Sequence, residues 1–168
     1  MKICMVGTGY VGLVSGAGFA ETGNEVVCAD IDALKIEKLR RGELPIFEPG
    51  LEALVERNVK GGRLAFWSDV PGAMAQAQVI FVAVGTPMRS DGAADLSAVD
   101  AVATEVARSA KRECCLVLKS TVPVGTNARV KKLVATANVK VHVVSNPEFL
   151  KEGDAVADFL RPDRVVVG

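Results

Sequence analysis

The chain is poor in several residues and patterns that mark particular protein classes. Aromatic residues make up only 5% of it, there is a single histidine, and none of the four cysteines belongs to a C-x-x-C pair or a metal-like spacing. Twenty basic residues balance twenty acidic ones, so no basic excess favours nucleic acid or an anionic membrane. No apolar run is long enough to span a bilayer. These absences predict no metal site, no nucleic-acid partner and no membrane partner.

The same sparse features indicate a cellular compartment. Residue 2 already begins a strand-like run, so we expect no N-terminal targeting peptide. The cysteines fall in or beside apolar runs, where free cysteine behaves as a small hydrophobe, and we expect a cytoplasmic protein with reduced thiols. The one histidine, His142, is interpreted as structural because it lies within a strand-like run rather than at its end.

What the chain does contain fits one α/β domain of 168 residues, of which 49% are hydrophobic. Strand-like and helix-like runs alternate, which favours a mainly parallel sheet covered on both faces. Strands are predicted at 2–6, 25–30, 64–67, 78–84, 115–119, 140–145 and 164–167, and helices at 10–22, 32–41, 50–58, 70–76, 96–110 and 126–135. The expected fold class is a Rossmann-type, doubly wound α/β sheet of order 3-2-1-4-5-6, with a last strand near 164–167. Asp69, Asp95 and Thr126 are predicted to cap the helices beside them.

The most informative motif is a G-x-G-x-x-G run that follows the first strand and opens the first helix. In a dinucleotide-binding fingerprint the first glycine permits a tight turn, the second lets a pyrophosphate approach, and the third lets the helix pack on the strand. A glycine-rich turn in another α/β protein would show the same spacing, but the flanking strand and helix favour the fingerprint. The predicted cofactor loop is Gly7, Thr8, Gly9, Tyr10, Val11 and Gly12.

An acidic residue at the end of the second strand indicates which dinucleotide binds. Asp30 lies 18 positions after Gly12, close to the spacing of a ribose-binding acid. A carboxylate accepts hydrogen bonds from ribose hydroxyls and repels a 2′-phosphate, so NAD is favoured over NADP. Lys35, at the start of the next helix, would approach the ribose or a phosphate; an ordinary exposed lysine is the alternative.

Polar groups also follow the fourth, fifth and sixth strands, whose carboxyl ends meet at one edge of the sheet. Gly85 and Thr86 offer backbone donors and a hydroxyl on the nicotinamide side of the cofactor. Ser120 and Thr121 would hold a water or the carboxamide there. Glu148 follows the sixth strand and is a candidate acid or base, since partial burial can tune its pKa.

Six stretches together closely resemble the UDP-glucose/GDP-mannose dehydrogenase family. They are Val6–Val14, Glu48–Glu52, Val84–Pro87, Lys119–Thr126, Ser145–Gly153 and Arg161–Gly168, and they follow one another in the family's order. The resemblance implies oxidation of the C6 hydroxyl of a nucleotide sugar in two steps, to an acid, with NAD reduced in each. It also implies that a cysteine holds the intermediate as a thiohemiacetal and then a thioester, which water releases.

The resemblance further implies roles for individual residues. Asp30 and Lys35 would bind the adenosine ribose, while Val11, Thr86 and Thr121 would line the path of NAD. Glu148 would assist proton transfer and hydrolysis, with Thr121 positioning water. Glu152 would also reach the nicotinamide. Lys151 stands where the family often has arginine, which keeps the charge but loses bidentate geometry. The substrate contacts implied are Glu148, Phe149, Leu150, Lys151 and Glu152.

The resemblance also bears on domain organisation, because the family's catalytic cysteine lies in a glycine-rich motif that this sequence does not contain. We expect residues 1–168 to be an NAD-binding domain, with the central helix and the C-terminal substrate domain absent. The full-length enzyme would be a homodimer, and this part alone a monomer. Val-Pro-Val-Gly and Arg-Pro-Asp-Arg favour UDP-glucose as the substrate. The open alternatives are a sibling enzyme for GDP-mannose or a UDP-N-acetyl sugar, and a stand-alone NAD-binding module without chemistry.

Overall fold

A six-stranded, all-parallel sheet of order β3-β2-β1-β4-β5-β6 forms the centre of the molecule. The computed structural model describes all 168 residues. The strands are β1 (Lys2–Val6), β2 (Glu25–Ala29), β3 (Leu64–Trp67), β4 (Val79–Val82), β5 (Cys114–Leu118) and β6 (Val141–Ser145). The helices are α1 (Tyr10–Glu21), α2 (Ala33–Arg40), α3 (Leu51–Lys60), α4 (Val70–Gln76), α5 (Ser97–Ser109), α6 (Thr126–Val134) and α7 (Ala155–Leu160). The predicted Rossmann-type fold and its strand order are confirmed.

Helices cover both faces of the sheet, which explains why its strands are apolar on successive residues rather than on alternate ones. On one face, Cys4, Ile80 and Leu116 pack against α4, α5 and α6. On the other face, Met5 and Phe81 pack against α1, α2 and α3. All four cysteines are free, and burial raises the pKa of the Cys4 thiol to about 12. None of the helices combines the length and the apolar character needed to cross a membrane.

The seventh strand predicted near 164–167 does not form in the sheet. Only Gly168 pairs with β6, exchanging backbone hydrogen bonds of 2.7 and 2.9 Å with Ser145. Val166 uses its carbonyl oxygen to accept from the Asn146 side chain at 2.8 Å instead of from a neighbouring strand. Residues 165–167 are therefore exposed, because a run of valines becomes a strand only where a partner backbone lies alongside.

The sequence-based prediction also missed the short helix α7. Its Phe159 ring packs edge-on against Phe19 of α1, with 5.0 Å between ring centroids. The two helices approach closely because a β-carbon on Gly18 would collide with the Phe159 ring. Six residues are too few for a readable helical period, so α7 depends on this tertiary contact.

One of the three predicted helix caps is correct as stated. Asp69 accepts a hydrogen bond of 3.0 Å from the Gly72 amide and is the N-cap of α4. Asp95 accepts from the Ser97 amide at 2.9 Å, but the N-cap position of α5 belongs to Leu96. The prediction for Thr126 is wrong because Gly125, with φ of +92°, turns the chain into α6 and takes the cap position. Thr126 instead donates its hydroxyl to the Pro123 carbonyl at 2.7 Å.

A buried amide joins α1, α3 and the turn before β3, and its removal gives a stability test. Asn58 is fully buried and donates to a Glu21 carboxylate oxygen at 2.7 Å, while Arg63 donates to its side-chain oxygen at 2.9 Å. Asn58→Ala removes both of these hydrogen bonds, so we expect the free energy of unfolding to fall by about 1–3 kcal/mol in urea titrations. Lys60→Ala, which breaks an exposed ion pair on the same helix, should change it by less than about 1 kcal/mol. Equal losses in the two variants would contradict this assignment.

Candidate functional site

The turn between β1 and α1 holds the start of the helix in close backbone contact with the end of the strand. Gly7 has φ of +99°, and a β-carbon there would lie 2.5 Å from the Ala83 carbonyl oxygen. A β-carbon on Gly12 would collide with the Gly7 carbonyl oxygen. The position of a β-carbon on Gly9, in contrast, has no atom within 4 Å. A side chain at Gly9 would therefore occupy open space in front of the helix, which is where the fingerprint holds a pyrophosphate.

The first turn of α1 presents backbone donors to that open space. Gly9 is the N-cap residue and provides no side-chain cap, and the N–H groups of Tyr10, Val11 and Gly12 make no backbone hydrogen bond. Unpaired amides and the positive end of the helix dipole form an anion site. The loop therefore fits the diphosphate of a dinucleotide.

Asp30 stands beside this loop at the end of β2, and several donors converge on it. Its Oδ2 accepts from the Thr8 amide at 2.9 Å, the Thr8 hydroxyl at 2.7 Å and the Lys35 ammonium at 3.1 Å. Its Oδ1 accepts only the Asp32 amide at 3.1 Å, which leaves acceptor capacity for a ligand hydroxyl. Burial alone would raise the pKa of Asp30, but these hydrogen bonds outweigh burial and lower it. The carboxylate is thus ionised at neutral pH, as a ribose-binding acid requires.

The side chains of two residues predicted to contact the cofactor are buried and form hydrogen bonds within the protein. Thr8 is fully buried, so its side chain holds Asp30 and does not face the open space. Ser120 is 9% exposed, and its hydroxyl donates to the Val84 carbonyl of the neighbouring loop at 2.7 Å. Lys35 forms an ion pair with Asp30 and is therefore not a plain exposed lysine.

The loops after β4 and β5 are joined by two hydroxyl groups, that of Ser120 and that of Thr86. Thr86 donates to the Thr121 carbonyl oxygen at 2.9 Å, while Gly85 and the side of Thr121 remain exposed to solvent. The structure thus brings these residues together at the carboxyl edge of the sheet. Their hydroxyl and amide groups lie next to the turn after β1, because β4 and β1 are neighbouring parallel strands.

The segment after β6 carries the predicted substrate residues. Glu148 is half-buried, and one of its carboxylate oxygens accepts from the Leu150 amide at 2.6 Å. The exposed Phe149 ring has the Arg164 guanidinium 4.6 Å from its centroid. Lys151 is exposed and pairs with Asp158, and Glu152 is exposed as well. Glu148, Lys151 and Glu152 thus form a polar ridge near the first turn of α1, since the Lys151 carbonyl oxygen lies 3.2 Å from the Tyr10 hydroxyl.

His142 lies away from this edge, in agreement with its structural interpretation. It is near the amino end of β6, and its Nε2 lies 2.7 Å from a Glu113 carboxylate oxygen.

Sequence reasoning missed a buried lysine between β5 and β6. Lys119 is 6% exposed, and its ammonium donates to the Asn146 side-chain oxygen at 3.3 Å. Burial lowers the pKa of Lys119, and the nearby negative charge of Glu148 opposes that shift. The position of Lys119, one residue before Ser120, was visible in the sequence, but nothing in the spacing indicated burial.

A second missed residue is Glu48, whose carboxylate is 4% exposed and has no cation within ion-pair distance. It accepts from the Tyr10 hydroxyl at 2.6 Å, the Gly153 amide at 2.9 Å and the Ala155 amide at 2.8 Å. Burial would raise the pKa of Glu48, but these hydrogen bonds lower it overall. Glu48 thus joins three segments that are far apart in sequence.

Residues 1–168 match the family model described as "UDP-glucose/GDP-mannose dehydrogenase family, NAD binding domain". The chain belongs to this family. The resemblance seen in the sequence motifs is thereby confirmed, as is NAD as the cofactor of the domain. The open space before Gly9 and the free acceptor capacity of Asp30 fit that cofactor.

Relatives within the family cover the chain from end to end. A UDP-glucose 6-dehydrogenase of Rhizobium meliloti strain 1021 is 54% identical over 171 residues, which include 100% of this chain and 39% of that protein. A UDP-glucose 6-dehydrogenase of Pseudomonas aeruginosa PAO1 is 49% identical, over 100% of this chain and 38% of that protein. The chain thus spans about two fifths of the length of these family members.

Solved structures of family members have the same fold. A UDP-glucose dehydrogenase of the hyperthermophilic archaeon Pyrobaculum islandicum matches with a TM-score of 0.95 and 45% identity, over 99% of this chain and 40% of that one. A GDP-mannose dehydrogenase of Pseudomonas aeruginosa matches with a TM-score of 0.91 and 34% identity, over 100% of this chain and 41% of that one.

The hydrogen bonds around Asp30 predict a pH dependence of stability. Because folding lowers the Asp30 pKa below its usual 3.8, ionisation stabilises the folded chain at neutral pH. This contribution is lost as the pH falls from about 4 through the lowered folded value. We therefore expect Asp30→Asn to reduce the free energy of unfolding most at pH 7, with the difference from wild type shrinking below about pH 4 in urea titrations.

The control for this pH test is Asp163→Asn, which removes one charge from an exposed position. A wild-type advantage over Asp30→Asn that stays constant from pH 7 to pH 3 would contradict the role given to these hydrogen bonds.

Proposed function

We propose that the chain is the NAD-binding domain of a UDP-glucose 6-dehydrogenase, which converts UDP-glucose, two NAD and water to UDP-glucuronate and two NADH. One observation carries the proposal: relatives with that name match the chain over its whole length at 54% and 49% identity. The GDP-mannose dehydrogenase structure matches at 34%, which favours UDP-glucose over GDP-mannose. A stand-alone binding module would have no need for the polar ridge at Glu148, Lys151 and Glu152.

The cofactor half of the site would work through the groups already described. NAD, when bound, supplies the acceptor for hydride from the sugar carbon. The amides at the start of α1 would hold its diphosphate, and Asp30 would accept from the adenosine ribose hydroxyls. Thr8 would keep Asp30 in place, and Lys35 would limit the negative charge beside the phosphates.

The substrate half of the site would use the loops after β5 and β6. Glu148 would exchange protons with the sugar hydroxyl and activate the water that releases the acid. Thr121 would position that water, since its side chain is exposed at the same edge of the sheet. Phe149 and Glu152, both exposed, would face the sugar nucleotide. Lys119 would provide a buried positive charge near Glu148.

The nucleophilic cysteine of the proposed reaction would lie in the other three fifths of such an enzyme, together with the dimer contacts and most of the substrate site. The four cysteines of this chain do not suit that role. Cys4, Cys28 and Cys114 are buried, and Cys115 lies near the amino end of β5, away from the edge that carries Thr121. Burial also raises the pKa of the Cys4, Cys28 and Cys114 thiols, which disfavours the reactive thiolate.

Cofactor choice can be measured directly by calorimetric titration. We expect the chain to bind NAD and to bind NADP much more weakly, because Asp30 would oppose a 2′-phosphate. Asp30→Ala should weaken NAD binding by about 1–3 kcal/mol, since hydrogen bonds to a charged group are lost. Glu56→Ala, an exposed position on α3, serves as the control. A preference for NADP, or unchanged NAD affinity in Asp30→Ala, would contradict the ribose role.

An activity assay tests the proposal that this chain binds NAD while the nucleophilic cysteine lies elsewhere in the enzyme. With NAD and UDP-glucose, the chain alone should produce no NADH above background, as followed by absorbance, because the nucleophile is proposed to lie elsewhere. Appreciable NADH production would refute this part of the proposal. Titration of the NAD-saturated chain with UDP-glucose and with GDP-mannose then compares the two substrates, and stronger binding of GDP-mannose would favour the sibling enzyme.

A further inference from the structure

Glu48 is a buried carboxylate that the proposed reaction does not use. Its three donors come from two distant parts of the chain: the first residue of α1, and the turn at Gly153 with the adjoining first residue of α7. Its own backbone lies in the loop between α2 and α3. No lysine or arginine neutralises it, so the carboxylate is stabilised entirely by a hydroxyl and backbone N–H donors.

Tyr10 connects this carboxylate to the cofactor loop. Its backbone N–H belongs to the first helical turn, which faces the proposed diphosphate position. Its phenol oxygen lies 2.6 Å from Glu48 and 3.2 Å from the Lys151 carbonyl oxygen. Burial and the hydrogen bond to Glu48 raise the pKa of Tyr10, so the phenol remains a donor at neutral pH. One residue therefore contacts both the cofactor side and the segment proposed to face the substrate.

Gly153 lies at the end of a largely exposed segment, and its hydrogen bond to Glu48 holds that end in place. Gly153 has φ of +92° and ends the segment from Glu148 to Glu152, whose side chains are largely exposed. Two other amides of the segment donate to side chains. The Leu150 amide donates to Glu148, which belongs to the segment itself, and the Lys151 amide donates to Asp158. The Glu48 carboxylate is the only buried group that ties the segment to the rest of the fold through side-chain hydrogen bonds.

We infer that Glu48 is a positioning residue for the Glu148–Gly153 segment, and that the Tyr10–Glu48 hydrogen bond couples this segment to cofactor binding. NAD on the first turn of α1 fixes Tyr10, and Tyr10 fixes the carboxylate that holds Gly153 and Ala155. Cofactor binding thereby orders the segment that meets the sugar nucleotide. This inference rests on the proposed function, since it needs NAD at the fingerprint loop.

Amide hydrogen exchange at Gly153 and Ala155 tests the coupling in the chain itself, without turnover. In wild type, saturating NAD should slow exchange at these amides by about 5-fold or more, the lower end of typical couplings between sites. In Tyr10→Phe the same NAD concentration should slow exchange at them by less than about 2-fold, although calorimetry still detects NAD binding. Glu48→Gln replaces one acceptor oxygen with an NH2 donor, so the side chain can no longer accept from Tyr10, Gly153 and Ala155 together, and it should also reduce the slowing. The double variant should show no further loss, because both changes interrupt the same path from Tyr10 to Gly153 and Ala155.

The ratio of exchange rates with and without NAD separates coupling from simple destabilisation. A purely structural role would raise exchange in both states equally and leave the ratio unchanged. The control is Thr104→Val, which removes a hydroxyl that donates to the Asp100 carbonyl oxygen on α5. This variant should retain the wild-type ratio. An unchanged ratio in Tyr10→Phe, with normal NAD binding, would overturn the coupling alone. Failure of wild type to bind NAD would overturn the proposed function and the coupling together.

Discussion

The close contact between the start of α1 and the end of β1 is the constraint on which the candidate site depends. Gly12 and Gly7 meet backbone to backbone, with no room for a β-carbon on Gly12. This contact aims the unpaired amides of the first helical turn at the open space in front of Gly9. It also brings the Tyr10 phenol within 2.6 Å of Glu48. One backbone contact therefore positions both the amides proposed to bind the diphosphate and the anchor of the segment proposed to face the substrate.

Two carboxylates beside this contact illustrate different uses of the same chemistry. Burial would raise the pKa of both Asp30 and Glu48, and hydrogen bonds from hydroxyl and amide groups reverse that effect in each. Glu48 is almost inaccessible, and its donors all come from the protein, so it holds segments together. Asp30 receives one donor on Oδ1 and keeps acceptor capacity there, which a ligand can use. Glu48 Oε1 also has a single donor, the Ala155 amide, so solvent access rather than acceptor capacity or charge separates the carboxylate proposed to bind ribose from the positioning one.

The fold was largely predictable because its signals are local. Each of the six strands is a short apolar run, and the sheet order follows from the fingerprint and the alternation of elements. The two errors in the predicted strands and helices, at residues 164–167 and at α7, share one cause. The valines at 165–167 have high strand propensity but no partner beside them, and α7 is stabilised by the contact of Phe159 with Phe19 rather than by its own pattern. Propensity and periodicity say nothing about which backbone or ring lies alongside.

The sequence by itself determined the family and predicted the cofactor loop and the acid at Asp30, because these depend on spacing along a continuous stretch of chain. Only the tertiary structure decided which polar groups face the open space. Thr8 turns inward to Asp30 and Ser120 to the loop after β4, while Glu48 reaches Gly153 across 105 positions of sequence. Such contacts depend on how helices and strands pack together, and this packing cannot be predicted from the spacing of residues along the chain.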